Sequence, residues 1–378
     1  MSTSNNLVPR HTATASSDKK ISNGYRFKLL SITFLISIIT IAISTGCKPK
    51  SKKIVDSASI YLIQAETYSD LGQYQASIDM ANKALRYNSS MPAARKLLAN
   101  VYLTIDKPKL AIEILNQNQE ALKSELEYAI LLVKSELASG RQAHESNLLS
   151  NEESILADFP NHRNSLLANA ELNAGNIEKA KNLYKAAFTK GGNRDDLHGL
   201  IKTEIVTGNC DHAKQIIEDN KESSIDDANS LYFLGTCQMM EEDFTTAELS
   251  LSNAVSKLRS TDTMTLQKRH FLNALSAILA KQNKLTESNI YDQLFADTFP
   301  DFYREQVYLT KAVTLARKGD TAESIAILKV ILPNATDEDS LDKLMYKTFI
   351  RHGKLATAAK YYKLYQEHHL NLKHLENQ

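Results

Sequence analysis

Three cysteines, a glycine doublet and a cluster of histidines are the residues of this 378-residue chain whose types and spacing invite chemistry. Cys47, Cys210 and Cys237 lack the short paired spacing of a zinc site, and three cysteines do not make a disulfide framework. Cys47 is read with its neighbours. Arg26 and Lys28 precede the apolar run Leu29 to Ile43, and Ser44-Thr45-Gly46 leads into the cysteine. A basic flank, a short apolar core and small residues are the grammar of a secretory signal. Gly191-Gly192 leads into no Lys-Ser/Thr pair, so the doublet reads as a helix C-cap rather than a phosphate cradle. His368, His369 and His374 lie in a polar terminal stretch that fixes no ligand geometry, which favours a solvated tail over a metal site. The sequence offers no nucleophile elbow, zinc-binding His pair, calcium loop or dinucleotide fingerprint. An enzyme is therefore the weakest class, and neither a metal nor a cofactor is expected.

The elements that must position these residues are helices. Seven prolines and twelve glycines are few for this length, and Ala, Leu, Lys, Glu, Asn and Ser dominate, which favours an all-α fold. The whole chain carries a formal charge of +1. Residues 1–46 contribute Arg10, Lys19, Lys20, Arg26 and Lys28 against Asp18 alone, so the remainder is slightly acidic. Such a body lacks the clustered basic footprint that phosphate backbones demand, and nucleic acid is excluded as an expected partner.

Beyond the signal the chain repeats itself. Tyr61, Ala65 and Tyr68 share one helical face, Leu71-Gly72 breaks the helix, and Tyr74, Ile78, Ala81, Ala84 and Leu85 form a second face before Pro92. About 34 residues on, Ala65 becomes Ala99, Tyr68 becomes Tyr102 and Ile78 becomes Ile112. Further turns are expected at Asp106, Gly140, Gly175, Gly208, Glu242-Asp243, Asn283, Gly319 and Gly353, which makes nine hairpins. Pro92, Pro160, Pro300 and Pro333 fall between hairpins and Pro108 at a turn, so none breaks a helix interior. The third and seventh hairpins run long, ending at Pro160 and Pro300, and an extended second helix is expected in both.

This pattern resembles the tetratricopeptide repeat. Leu231, Leu234, Gly235, Phe244, Ala247, Leu251 and Ala254 reproduce much of its signature, as do Ala168, Gly175, Ala180, Tyr184, Ala187 and Phe188. The resemblance implies a right-handed superhelical solenoid of about nine hairpins over residues 58–367, followed by a tail at 368–378. It also implies that extended peptides or protein segments bind along the concave face formed by the first helices. Carried over by register, the inner rows place Lys96, Asn100, Lys134, Asn169 and Lys202 as candidate ligand residues, since Lys and Asn can hold peptide carbonyls, amides and carboxylates. An ordinary solvated face is the alternative. Lys96 and Asn100 are similar to the opening of a carboxylate clamp, but Leu131 stands where the next Asn belongs. Cys210 opens the second helix of the fifth hairpin and Cys237 lies on the first helix of the sixth. They are either a bridge in an oxidising compartment or two small buried thiols.

The N-terminus resembles a bacterial lipoprotein signal over residues 1–46, with Cys47 as the acylated first residue of the mature chain and residues 47–57 as a basic linker. Lys48 after the cysteine implies the outer membrane, facing the periplasm. The rival is an uncleaved inner-membrane helix. The functional expectation is a scaffold for proteins of the cell envelope, in the assembly or export of pili, exopolysaccharide or envelope complexes, held to the membrane by lipid and with no small-molecule substrate. An envelope enzyme with a degenerate site is the remaining alternative.

Overall fold

The computed structural model describes residues 50–376, except for residue 192, residues 221–227 and residues 259–264. Two compact units are distinguished, residues 1–53 and 54–378. The apolar run Leu29 to Ile43 and Cys47 lie outside the described residues. Among the described residues no helix is long and apolar enough to cross a membrane, and no group of His, Cys, Asp and Glu could hold a metal ion.

The described residues form helices and no strands. In chain order they are α1 (Lys50–Asp70), α2 (Tyr74–Tyr87), α3 (Pro92–Thr104), α4 (Pro108–Asn116), α5 (Gln119–Ser124), α6 (Leu126–Ala138), α7 (Asn147–Ser150), α8 (Pro160–Ala174), α9 (Ile177–Thr189) and α10 (Arg194–Val206). There follow α11 (Cys210–Asp219), α12 (Ala228–Met240), α13 (Phe244–Ser256), α14 (Leu266–Lys281), α15 (Leu285–Thr298), α16 (Pro300–Lys318), α17 (Thr321–Ile331), α18 (Leu341–Arg351) and α19 (Leu355–Glu376). Helix α1 thus starts inside the segment expected as a linker, and α19 continues through the segment expected as a tail.

All nine expected turns contain a left-handed residue: Gly72, Asp106, Gly140, Gly175, Gly208, Glu242, Asn283, Gly319 and Gly353. A chain reversing within two or three residues needs one such residue to let the terminal carbonyls of the first helix find N–H partners. Gly191 is left-handed as well and ends α9, in keeping with a C-cap. Pro92, Pro108, Pro160 and Pro300 each occupy the start of a helix, where their missing N–H would have had no partner.

Small residues let the paired helices approach. Ala65, Ala81, Ala99, Ala111, Ala180, Ala213, Ala247 and Ala358 are fully buried. One device recurs three times: a serine on the second helix donates to a first-helix carbonyl twelve residues back. Ser77 reaches Ala65 at 2.8 Å, Ser288 reaches Ser276 at 3.0 Å and Ser324 reaches Ala312 at 2.8 Å. Ser276 belongs to a hairpin whose signature departs from the usual Ala or Gly, and its hydroxyl donates to Asp292 at 2.5 Å.

The long hairpins correct the expectation of extended second helices. Residues 143–158 of the third fold as a 3-10 turn (Ala143–Glu145), the four-residue α7 and a second 3-10 turn (Ile155–Asp158). Short polar side chains there compete with the helical ladder. Ser154 donates to the Leu148 carbonyl at 2.7 Å, and Asn151 accepts from the Glu153 amide at 2.9 Å. Leu149 and Leu156 still plug the core, so the segment packs as the second helix would have done. In the seventh hairpin α15 has an ordinary 14 residues, and the extra length goes instead to α16, with 19 residues.

Candidate functional site

The five expected ligand residues fall on first helices: Lys96 and Asn100 on α3, Lys134 on α6, Asn169 on α8 and Lys202 on α10. Lys96 donates to Glu127 at 2.7 Å and lies 3.3 Å from Glu125; its hydrogen bond to Glu127, above all, holds its pKa above the ordinary lysine value. Asn100, one turn on, is exposed. Lys134 pairs with Asp195 at 2.9 Å, reaching from the third hairpin to the fifth. Burial pushes Asp195 upward, but the charge and hydrogen bond of Lys134 outweigh it and hold the carboxyl below its usual range. Asn169 donates to the Ser165 carbonyl at 2.9 Å and accepts from the Tyr184 hydroxyl at 3.0 Å. Lys202 is partly buried, and desolvation, opposed by Asp195, lowers its pKa. The structure therefore does not bring the five side chains to one open site. Asn169 is spent on packing, Lys202 is only partly accessible, and Lys96, Asn100 and Lys134 belong to the N-terminal hairpins.

The middle of the array is occupied by the chain itself. Helix α19 packs on α10 and α12 as well as on its partner α18. Tyr232 donates to the Gly353 carbonyl at 2.5 Å, and Asn273 donates to the His352 carbonyl at 3.1 Å. His270 Nε2 lies 3.1 Å from the Arg351 carbonyl, so that nitrogen must carry the proton; burial holds the imidazole far below its ordinary pKa and keeps it neutral. From the other direction Tyr346 donates to the Gly175 carbonyl at 2.7 Å, and Asn334 donates to the Asn173 carbonyl. Tyr232, on a first helix, thus anchors the ninth hairpin.

A second closure joins the N-terminal quarter to the C-terminal third. The turn residue Asp106 pairs with Arg269 on α14 at 2.8 Å. Arg269 is almost wholly buried, with its guanidinium carbon 3.1 Å from the centre of the Phe302 ring, and burial lowers its pKa to about 10. Arg351 reaches the same ring at 5.1 Å and lies 3.5 Å from Glu305. His352 packs against Phe302, and burial lowers its pKa to about 3, so it is neutral near pH 7. Arg269, Arg351, Asp106, Glu305 and Phe302 border a cavity of about 400 Å³, whose other walls include Ile105, Leu110, Leu266 and Phe299.

Sequence reasoning missed this cluster. Its one signal is that Asp106 stands at a turn where glycine is usual. The crowding of Tyr346, Phe349, Tyr361, Tyr362 and Tyr365 into the last hairpin was a second signal, because a hairpin that merely capped the array would be polar on its outer face.

Cys210 and Cys237 are neighbours, as the antiparallel arrangement of α11 and α12 requires. Both are buried free thiols. Cys210 Sγ lies 3.7 Å from Met240 Sδ, and Cys237 Sγ lies 3.9 Å from the Cys210 carbonyl. Their mutual hydrogen bond lowers the pKa of Cys210 and raises that of Cys237. His368 lies on α19 with Nδ1 2.6 Å from Asp342, and His369 stacks on Tyr365.

A family model described as tetratricopeptide repeat matches residues 64–122, from the second half of α1 into α5. Among solved structures, the chain is similar to one titled as the APC/C hetero-tetramer Cut9-Hcn1. The identity is 14%, with 75% of this chain and 54% of that one covered and a TM-score of 0.49. A structure titled as the P58(IPK) TPR domain is 13% identical, with 78% and 77% covered and a TM-score of 0.23. The chain spans about half the length of the first of these. No curated protein matches it. A left-handed turn in every hairpin, alanines at the helix crossings and the family match over residues 64–122 make this all-helical chain similar to tetratricopeptide-repeat proteins.

Proposed function

We propose that the chain is a protein-binding scaffold of the bacterial cell envelope, tethered by acylated Cys47 and engaging polypeptide segments along the first helices of its N-terminal hairpins. The observation that carries this reading is the state of Lys96, Asn100 and Lys134. Asn100 is exposed, and the two lysines pair with surface carboxylates: Lys134 with Asp195 and Lys96 with Glu127, each 65% exposed, and Lys96 also with the half-buried Glu125. Exposed ion pairs contribute at most about 1 kcal/mol, so an incoming acidic or amide-bearing segment can replace them at little cost. Such an adaptor suits the assembly or export of pili, exopolysaccharide or envelope complexes.

Two experiments test the two halves of the proposal. A photo-crosslinking residue at Asn100 should give a discrete adduct that a Lys96→Glu change removes, and the same residue at Lys329 on α17 should not. Equal labelling at both positions would remove the assigned face. For the anchor, intact mass and membrane fractionation of wild type beside Cys47→Ala should show an acylated chain beginning at Cys47, lost in the variant. A full-length membrane protein unaffected by the change would leave a scaffold carried on an uncleaved helix.

A further inference from the structure

Two histidines sit where the ninth hairpin meets the middle of the array. His270 on α14 donates from Nε2 to the Arg351 carbonyl at 3.1 Å. His352, in the turn between α18 and α19, is 1% exposed, and neither of its ring nitrogens has a hydrogen bond. Its own carbonyl accepts from Asn273 on α14, and the next one, of Gly353, accepts from Tyr232 on α12. The closure is therefore built on three successive carbonyls, of residues 351–353, with the two imidazoles packed among the groups that reach them.

The charges around these rings are mostly positive. His270 faces Arg269 on its own helix, Lys202 on α10 and His352 of the ninth hairpin. His352 faces Arg269 on α14, Arg351 on α18 and Lys354 in its own turn, and Phe302 of α16 covers its ring. One carboxylate stands near, Glu305 on α16, 3.6 Å from His352 Nε2. Glu305 is shared with Arg351, and burial raises its pKa, so its charge fades as the solution turns acid. Asp106 answers Arg269, and Asp292 on α15 acts on Lys354. Burial first, and then these cations, keep both imidazoles neutral.

We infer that the closure is an acid-sensitive latch: when His270 and His352 take up protons, the turn at residues 351–354 lifts from α12 and α14 and uncovers these first helices. The proton is taken up by the opened form, where each ring regains water, so neither nitrogen has to be reached while the latch is shut. A ring that is neutral when shut and titrates near 6.5 when open shifts the ratio of shut to open by nearly tenfold for each pH unit below about 6.5. Two such rings shift it on the order of several hundredfold between pH 7 and 5. The other ties of the ninth hairpin, Tyr346 to Gly175 and Asn334 to Asn173, involve no group that titrates in this range, so acid leaves that end attached. The latch depends neither on the anchor at Cys47 nor on the face around Asn100.

The test is hydrogen exchange read by mass spectrometry on the full-length chain in mild detergent at pH 7 and pH 5, with protection corrected for the intrinsic effect of pH on exchange. Protection of α12, α14 and the end of α18 should fall at pH 5, by as much as several hundredfold, and return at pH 7, while that of α2 and α3 holds. His352→Phe keeps an aromatic ring against Phe302, and His270→Gln keeps an N–H for the Arg351 carbonyl. Each alone should cut the fall to about twenty-fivefold, and the two together should abolish it. If His352→Phe fails to fold, His270→Gln alone carries the comparison. Unchanged protection at pH 5, an equal loss in α2 and α3, or a fall of wild-type size in either variant overturns the latch.

Discussion

Hairpins one to three and hairpins four to nine are built from the same unit but held together differently. The first three bury separate small clusters: one around Ala65, Ile78 and Leu98, a second around Ala111, Leu115 and Tyr128, a third around Val133, Leu149 and Leu156. Each of these apolar clusters joins neighbours only, as in an open stack whose stability is a sum of local terms, and what ties them to distant hairpins is polar: Asp106 to Arg269 and Lys134 to Asp195. From Ala168 to Tyr362 one cluster runs through the remaining hairpins, because the ninth folds back on the fourth to seventh. A repeat sequence thus sets which helices pair, whereas a few added contacts at the far end decide whether the stack stays open.

The sharpest way to break this contrast is at Tyr346, fully buried, hydrogen-bonded to Gly175 and packed edge-on to Tyr362. Tyr346→Ala should destabilise the chain by roughly 3–5 kcal/mol. Hydrogen exchange should show hairpins four to nine loosening together. Leu98→Ala should have a comparable local cost but loosen only the first hairpins. Uniform loosening in both variants would mean that the two regions are one cooperative unit.

Acid should attack the closed region next. His352 is held near pKa 3 and His270 well below its ordinary 6.5, so unfolding lets both take up protons. Their folded pKa values lie below the unfolded one. Stability is therefore complete above about pH 6.5 and falls as pH drops towards 3. Between pH 7 and 5 the loss should be on the order of 3 kcal/mol, read from urea midpoints, and His352→Phe should flatten the slope. An unchanged midpoint across that range would contradict the burial of these rings.

Gly353→Ala is expected to cost about 2 kcal/mol. The residue is left-handed, and an added Cβ would meet the His270 ring 2.5 Å away. Gly208→Ala, at an equally left-handed turn with open space around it, should show only the backbone part of that cost. The difference between the two thermal midpoints isolates the closure contact. The smallest effect is foreseen for Lys96→Ala, below about 1 kcal/mol by denaturation, because Glu127, its closer partner, is largely exposed. A larger loss would mean that the open hairpins depend on that ion pair.

Hairpin count, turn positions and the alanine crossings were legible because they follow from a period and from residue types with few alternatives: only a turn tolerates a left-handed glycine, and only a small side chain fits a tight crossing. The broken helix after Gly140 was missed although its Ser and Asn density was visible, because the repeat argued for continuity. The closures were illegible for a different reason. Tyr346 and Tyr232 end on backbone carbonyls of turns, and any turn offers carbonyls, so nothing in the side-chain pattern names which one is reached. Asp106 and Arg269 are ordinary residues whose pairing spans 163 positions. Among the candidate ligand residues, register placed all five on first helices, but it could not show that Asn169 and Lys202 would be drawn into the packing.

The return of the ninth hairpin also bears on how such a chain can evolve and be made. An open stack can gain or lose a unit by duplication or deletion and still fold, since each unit needs only its neighbours. Here one unit more or fewer between Gly175 and Gly353 would shift every partner of Tyr346, Tyr232 and Asn273 at once. Repeat number in this stretch is fixed by geometry, and the middle of the array cannot be completed until the ninth hairpin, far along the chain, has been made.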